Sequence, residues 1–172
     1  MKEIVPRLSR MAVLGSSTEP GTAQALKETE LAAQAFGVQL HHVDILDRKD
    51  IENAFRAATK GRADAALVFT SPVLNLQRKQ VVDLAAKNRL PAIYPRADYV
   101  EDGGLMTYSV NINDLYRRSA TYVDKILKGA KPADLPVEQP TKFEFIINLK
   151  AAKQIGLTIP PNVLARADRV IK

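Results

Sequence analysis

The chain has no cysteine among its 172 residues, which removes disulfides, thiolate metal sites and a cysteine nucleophile in one step. The absence suits an exported protein and a cytosolic one equally, so it decides no compartment. Histidine is scarce as well. The only two, His41 and His42, are neighbours on a segment that reads as a strand, so they point to opposite faces and cannot hold one ion together. No run approaches the roughly 18 apolar residues of a membrane span. The opening MKEIVPRLSRMAVLG carries positive charge but lacks a long apolar region and a small-residue cleavage site. It does not read as a signal peptide, so a complete gene product with this start is expected in the cytoplasm. The phosphate-cradling patterns GxxxxGK[ST] and GxGxxG are missing, and so is the GxSxG nucleophile elbow. No metal, no cofactor and no catalytic set are expected, and the chain does not read as an enzyme.

What is present describes an ordinary folded domain. Hydrophobic residues make up 46% and charged residues 26%, with 25 basic against 19 acidic residues and a net charge of +6. That composition excludes disordered and fibrous classes. The basic residues are scattered and are not interleaved with aromatics in a stripe, so no nucleic-acid partner is expected and a solvated charged face accounts for the charge.

Strand and helix patterns alternate along the chain. Met11 to Leu14 is a short apolar run ending at Gly15, and it predicts a buried parallel strand. Pro20 is placed to open a helix over Thr22 to Phe36, where Ala25, Leu26, Thr29, Ala32, Ala33 and Phe36 recur at helical spacing; Gly37 closes it. Val38 to Ile45, Ala65 to Phe69 and Pro91 to Tyr94 read as further strands. Asp50 to Lys60 and Gln77 to Asn88 read as the helices between them. This rhythm predicts an α/β fold with a doubly wound parallel sheet and right-handed crossovers. After Tyr94 the rhythm breaks. Asp98 to Gly104 reads as a loop and Leu105 to Ser109 as a short strand. A helix capped at Asn113 or Asp114 runs to Lys128, and a proline-rich crossing, AKPADLPVEQP, follows. Phe143 to Ile147 is a last strand, Asn148 caps a short helix, and PPNVLARADRVIK ends the chain in another helix.

The segments LPAIYP, GGLMTY, DLYRRSATYVDKILKGAKPADLPVEQPTKFEFIINLKAAKQIGLTIP and LARADRVI resemble the substrate-binding proteins of ABC transporters, specifically the two-lobed type I family that includes tryptophan and tyrosine binders. The resemblance covers about Leu8 to Lys172 and is to the C-terminal lobe only, with the first lobe missing. It implies a solute-binding component that takes an amino acid or a similar small organic molecule in a cleft between lobes and docks on a membrane permease. By resemblance the place of work is periplasmic or extracytoplasmic. Residues 1–96 with 140–172 are then the second lobe, and 97–139 a crossing segment whose helix packs on the absent lobe. In that helix Tyr116, Ala120, Val123 and Leu127 form one apolar stripe. Left bare, such a stripe is an association liability, so a homo-oligomer through Asp114 to Lys128 is expected.

In an open α/β sheet a ligand lies beyond the carboxyl ends of the strands, at the point where strand order reverses. Three loops qualify. Ser16, Ser17 and Thr18 offer hydroxyls and lead into a helix N-terminus that suits a carboxylate, or they simply complete a turn. Thr70, Ser71 and Asn75 offer small polar groups, or cap a helix. Tyr94 can wall an apolar ligand and Arg96 can clamp a carboxylate, unless Arg96 merely pairs with Asp98 at the surface. Tyr108 is a further candidate on the hinge side. Two readings of a different class stay open: a truncated paralogue that oligomerises as an interaction protein, and a small flavodoxin-like nucleotide binder.

Overall fold

One seven-stranded sheet in the order β2-β1-β3-β4-β5-β6-β7 organises all residues 1–172 of the computed structural model. The strands are β1 (Arg10–Gly15), β2 (Gln39–Asp44), β3 (Ala65–Val68), β4 (Ala92–Tyr94), β5 (Met106–Val110), β6 (Phe143–Asn148) and β7 (Arg169–Ile171). All pairings are parallel except β5 with β6, which runs antiparallel from Met106↔Ile147 to Val110↔Phe143. The helices are α1 (Thr22–Ala35), α2 (Asp50–Lys60), α3 (Pro72–Leu76), α4 (Arg78–Lys87), α5 (Ala97–Glu101), α6 (Ile112–Leu127), α7 (Leu149–Gln154) and α8 (Pro161–Leu164).

Alternation along the strands divides the core in two. Ala12 and Leu14 of β1, Ala66 and Val68 of β3, and Ala92 and Tyr94 of β4 face one side, where they bury Ile51, Phe55, Val81, Val82 and Tyr99 from the helices. The opposite face collects Met106 and Ile147, a register pair, with Ile4, Ala151, Ala152, Ile159 and Val163. Short apolar strands without polar alternation form here because both faces are covered. Gly104 is required by packing. A Cβ there would lie 2.6 Å from the Tyr94 ring and 2.7 Å from the Tyr99 carbonyl oxygen.

Several expectations are corrected. The segment from Asp98 to Gly104 is not all loop, since Ala97–Glu101 is helical and buries Tyr99 and Val100. The stretch around GGLMTYS does not leave this sheet: β5 is hydrogen-bonded to β4 on one side and β6 on the other. The cap of α6 is Asn111, whose side chain accepts the Asp114 N–H at 2.8 Å, rather than Asn113 or Asp114. The chain ends in a strand, not a helix. Asp168 closes the turn before β7 by accepting the Phe145 N–H at 2.8 Å while its own N–H donates to the Phe145 carbonyl at 2.9 Å.

Beyond the sheet, α6 stands apart. None of its residues is buried. Tyr116, Val123 and Leu127 are 71%, 54% and 81% exposed. Its partner is the returning segment 131–141: Arg118 pairs with Glu138, and the Tyr122 hydroxyl donates to the Pro136 carbonyl at 2.8 Å.

Candidate functional site

Strand order reverses between β1 and β3, because α1 crosses on one face of the sheet and α2 returns on the other. A crevice of about 380 Å³ opens there at the carboxyl ends of β3 and β4. Its walls are Pro20, Gly21, Thr22 and Ala25 from the start of α1, Leu67 to Thr70 from the end of β3, Ile93 to Pro95 from β4, and Tyr108 from β5. None of these residues carries a charge. Leu67 and Ile93 reach the crevice because they alternate with Ala66, Val68 and Ala92, which face the larger core. Gly15 lets Phe69 pack closely against the end of β1, since a Cβ there would stand 3.1 Å from Cβ of Phe69.

The sequence-derived candidates divide. Thr70, Tyr94 and Tyr108 line the crevice; Ser16, Ser17, Thr18, Ser71, Asn75 and Arg96 do not. Ser17 is held by Asp44 at the end of β2, which accepts its N–H and its hydroxyl, both at 2.7 Å. Those bonds, the hydroxyl's first, keep the Asp44 carboxyl below the usual aspartate range. Ser16 is buried and shares a 2.8 Å hydrogen bond with the Thr18 hydroxyl. Asn75 accepts from the Tyr99 hydroxyl at 3.0 Å, on the far face of the sheet. Arg96 donates to Asp98 at 2.8 Å, in a surface network that also ties Arg78 to Asp102 at 2.6 Å. Ser71 is fully buried and its hydroxyl has no partner.

Tyr94 enters the crevice edge, but its ring is a core group. It is 2% exposed and stacks on Tyr99 with centroids 5.1 Å apart. Burial, then the neighbouring Tyr99, raises its phenol well above the ordinary tyrosine value. Tyr108 is different: it is 62% exposed, stacks on Phe143 at 5.7 Å and meets Phe145 edge-on at 6.3 Å. This aromatic trio forms a wall on the sheet face that the crevice shares.

Sequence reasoning did not single out Gly21, Thr22, Leu67, Phe69 or Ile93 as site residues. Pro20 gave the one local signal, because a proline ahead of a helix marks where its free N–H groups begin. Thr22 N–H donates to Glu19 O at 3.2 Å and Ala25 N–H to Gly21 O at 2.9 Å. The N–H groups of Gly21, Ala23 and Gln24 have no acceptor in the chain. Such a turn suits a negative group.

Comparison with known proteins places this geometry. The family described as ABC transporter substrate binding protein matches residues 1–171. A conserved domain protein from Vibrio cholerae O1 biovar El Tor superposes with a TM-score of 0.90 at 26% identity, covering 98% of this chain and 57% of that one. An ABC domain in complex with L-Trp from Streptococcus pneumoniae gives 0.90 at 27% identity, covering 99% of this chain and 57% of that one. The ligand-free, open structure of CD0873 from Clostridium difficile, a substrate-binding protein with adhesive properties, shares the fold with a TM-score of 0.73 at 21% identity, covering 99% of this chain and 57% of that one. No curated protein matches the chain. The chain thus spans 57% of the length of each of these structures, consistent with a single lobe. With the family matched over nearly every residue and the fold shared throughout, this chain belongs to the ABC transporter substrate-binding proteins.

Proposed function

We propose that this chain forms one wall of a solute-binding cleft and binds an amino acid or a similar small organic molecule for delivery to an ABC permease, outside the cytoplasm and without catalysing a reaction. The observation that carries the reading is the uncharged crevice at the strand-order reversal, closed on one side by the exposed Tyr108. The S. pneumoniae relative holds L-Trp, which supports the amino-acid class. The lobe runs through residues 1–110 and 143–172, and 112–141 packs on a separate body. Pairing of that segment with a second copy accounts for the bare stripe on α6, and it is the feature that favours an interaction role if no solute binds. A bound solute stabilises the folded chain by about 2.7 kcal/mol at a hundredfold excess over Kd. A thermal-denaturation screen of the chain against aromatic and branched amino acids tests the reading. A rise in Tm with one class supports it, and no rise with any of them at millimolar concentration overturns it. Sedimentation without solute tests the pairing, where a monomer at every concentration refutes it.

A further inference from the structure

We propose that the end of the sheet opposite the crevice docks on an anionic lipid bilayer, with Phe36 as the group that inserts. The cations concerned are scattered along the sequence, and the fold gathers them. Arg10 opens β1, Lys60 ends α2 with Arg62 just beyond it, and Lys87 ends α4 with Arg89 just beyond it. In a β-α-β unit a helix ends where the next strand starts, so these residues share the amino ends of β1, β3 and β4. Hydrogen bonds tie the turns together: the Asp64 N–H donates to the Arg10 carbonyl at 2.8 Å, and the Thr59 hydroxyl meets the Asn88 side-chain oxygen at 3.3 Å. The three strands are neighbours, so the cations spread over about 10 Å of the sheet's end. All are exposed, and none enters an ion pair. The acid between them, Asp64, is occupied by the N–H groups of Ser9 and Arg10 at 2.8 and 2.9 Å. Asp83 lies one turn back along α4.

Local structure accounts for only part of this set. Lys60 and Lys87 complement the negative ends of their helices. Arg62 and Arg89 stand past those ends, at φ of 53° and 50°, and no other residue except glycine has a positive φ. Each closes a capping turn, Arg62 N–H on the Thr59 carbonyl and Arg89 N–H on the Ala86 carbonyl, both at 3.0 Å. Helices α1, α5, α6 and α7 end in the same turn with glycine at that position. A side chain there carries steric strain that glycine avoids. The two helices that meet at Thr59 and Asn88 thus accept strain and present arginine to solvent. Phe36 caps α1 beside the start of β2, the next strand of the sheet, and is 63% exposed. A groove of about 300 Å³ lies along it, lined by Leu8, Met11, Ala33 and Leu40. An exposed aromatic beside unpaired cations suits the boundary between headgroups and acyl chains. A nucleic-acid strand is held instead by several aromatics along a basic track, and Phe36 stands alone here. The crevice, at the other end of the strands, stays open while this end is docked.

Co-sedimentation with phosphatidylcholine vesicles, made with and without about one third phosphatidylglycerol, tests this. The anionic vesicles are expected to hold the chain at least about tenfold more tightly, and raising salt from about 0.05 M to about 0.5 M is expected to remove most of that difference. Arg62→Gly with Arg89→Gly keeps the fold, because glycine suits both turns, and is expected to weaken binding to anionic vesicles by about tenfold or more. The chain contains no tryptophan, so Phe36→Trp supplies a single reporter whose emission is expected to shift to the blue on anionic vesicles. Equal binding to both kinds of vesicle overturns the inference. So does a double glycine variant that binds as before, or a reporter whose emission does not move on bound vesicles. A DNA oligonucleotide held more tightly than the anionic vesicles overturns it as well and assigns the surface to nucleic acid. No solute enters these assays, so their failure leaves the solute-binding reading standing.

Discussion

Helices α2 and α6 are both amphipathic, and they end up in opposite circumstances. α2 buries Ile51, Ala54, Phe55 and Ala58 against the sheet. α6 repeats the same kind of pattern with Tyr116, Val123 and Leu127 and buries nothing. The difference teaches that periodicity records the need for a partner surface, not its presence in the same chain. Within the lobe, burial supplies the stability. Around α6, the apolar face lies open.

The largest test of this contrast is truncation inside the lobe. Phe55 is 1% exposed, so Phe55→Ala is expected to cost about 4 kcal/mol and to lower the urea midpoint sharply. The same experiment with no shift in midpoint would erase the distinction between the two helices. Next comes Gly104→Ala, where the new methyl meets the Tyr94 ring and a backbone carbonyl at once. About 2 kcal/mol of destabilisation is expected, again read from urea unfolding, and an unchanged midpoint would show that the Tyr94–Tyr99 stack yields easily. On α6, Val123→Lys with Leu127→Lys is expected to leave the stability of the dilute chain within about 0.5 kcal/mol while abolishing self-association in sedimentation. Loss of stability without loss of association would reverse the assignment.

The smallest effect concerns acid. Asp44 is depressed in the folded state, so its contribution is fully present above the ordinary aspartate value of about 4 and is lost as pH falls through the lower folded value. Asp44→Asn is therefore expected to lower stability modestly at pH 7 and to flatten the acid limb below about pH 4, so that the two proteins converge in acid. Parallel acid limbs in urea titrations of the two proteins would remove Ser17 as the group that holds this carboxyl.

Much of the β-α rhythm was legible because each unit announces itself locally: an apolar run, a glycine or proline stop, then helical spacing. What escaped depended on distant partners. Arg169–Ile171 is too short to show a period, and it becomes a strand only because β6 offers an edge beside it. Ser16, Ser17 and Thr18 looked like free hydroxyls, but Asp44 lies 27 residues beyond Ser17 and captures it across two strands. Tyr94 fell on the core side of its strand, and nothing local says which face of β4 is the deeper one. Tyr108 lines the crevice from the middle of β5, in the stretch beyond Tyr94 where the β-α pattern breaks.

The antiparallel pairing of β5 with β6 has a practical consequence. Val110 and Phe143 are register partners, and just beyond them the Asn111 N–H donates to the Lys142 carbonyl at 3.0 Å. The chain departs and re-enters at adjacent positions, so the intervening thirty-odd residues, α6 among them, form an excursion from the sheet that begins and ends at one point. Excising them and joining the two strands through an Asn-Gly turn, the dipeptide that best fits a two-residue hairpin, is expected to keep β5 and β6 paired, which circular dichroism and urea unfolding of the shortened chain would check.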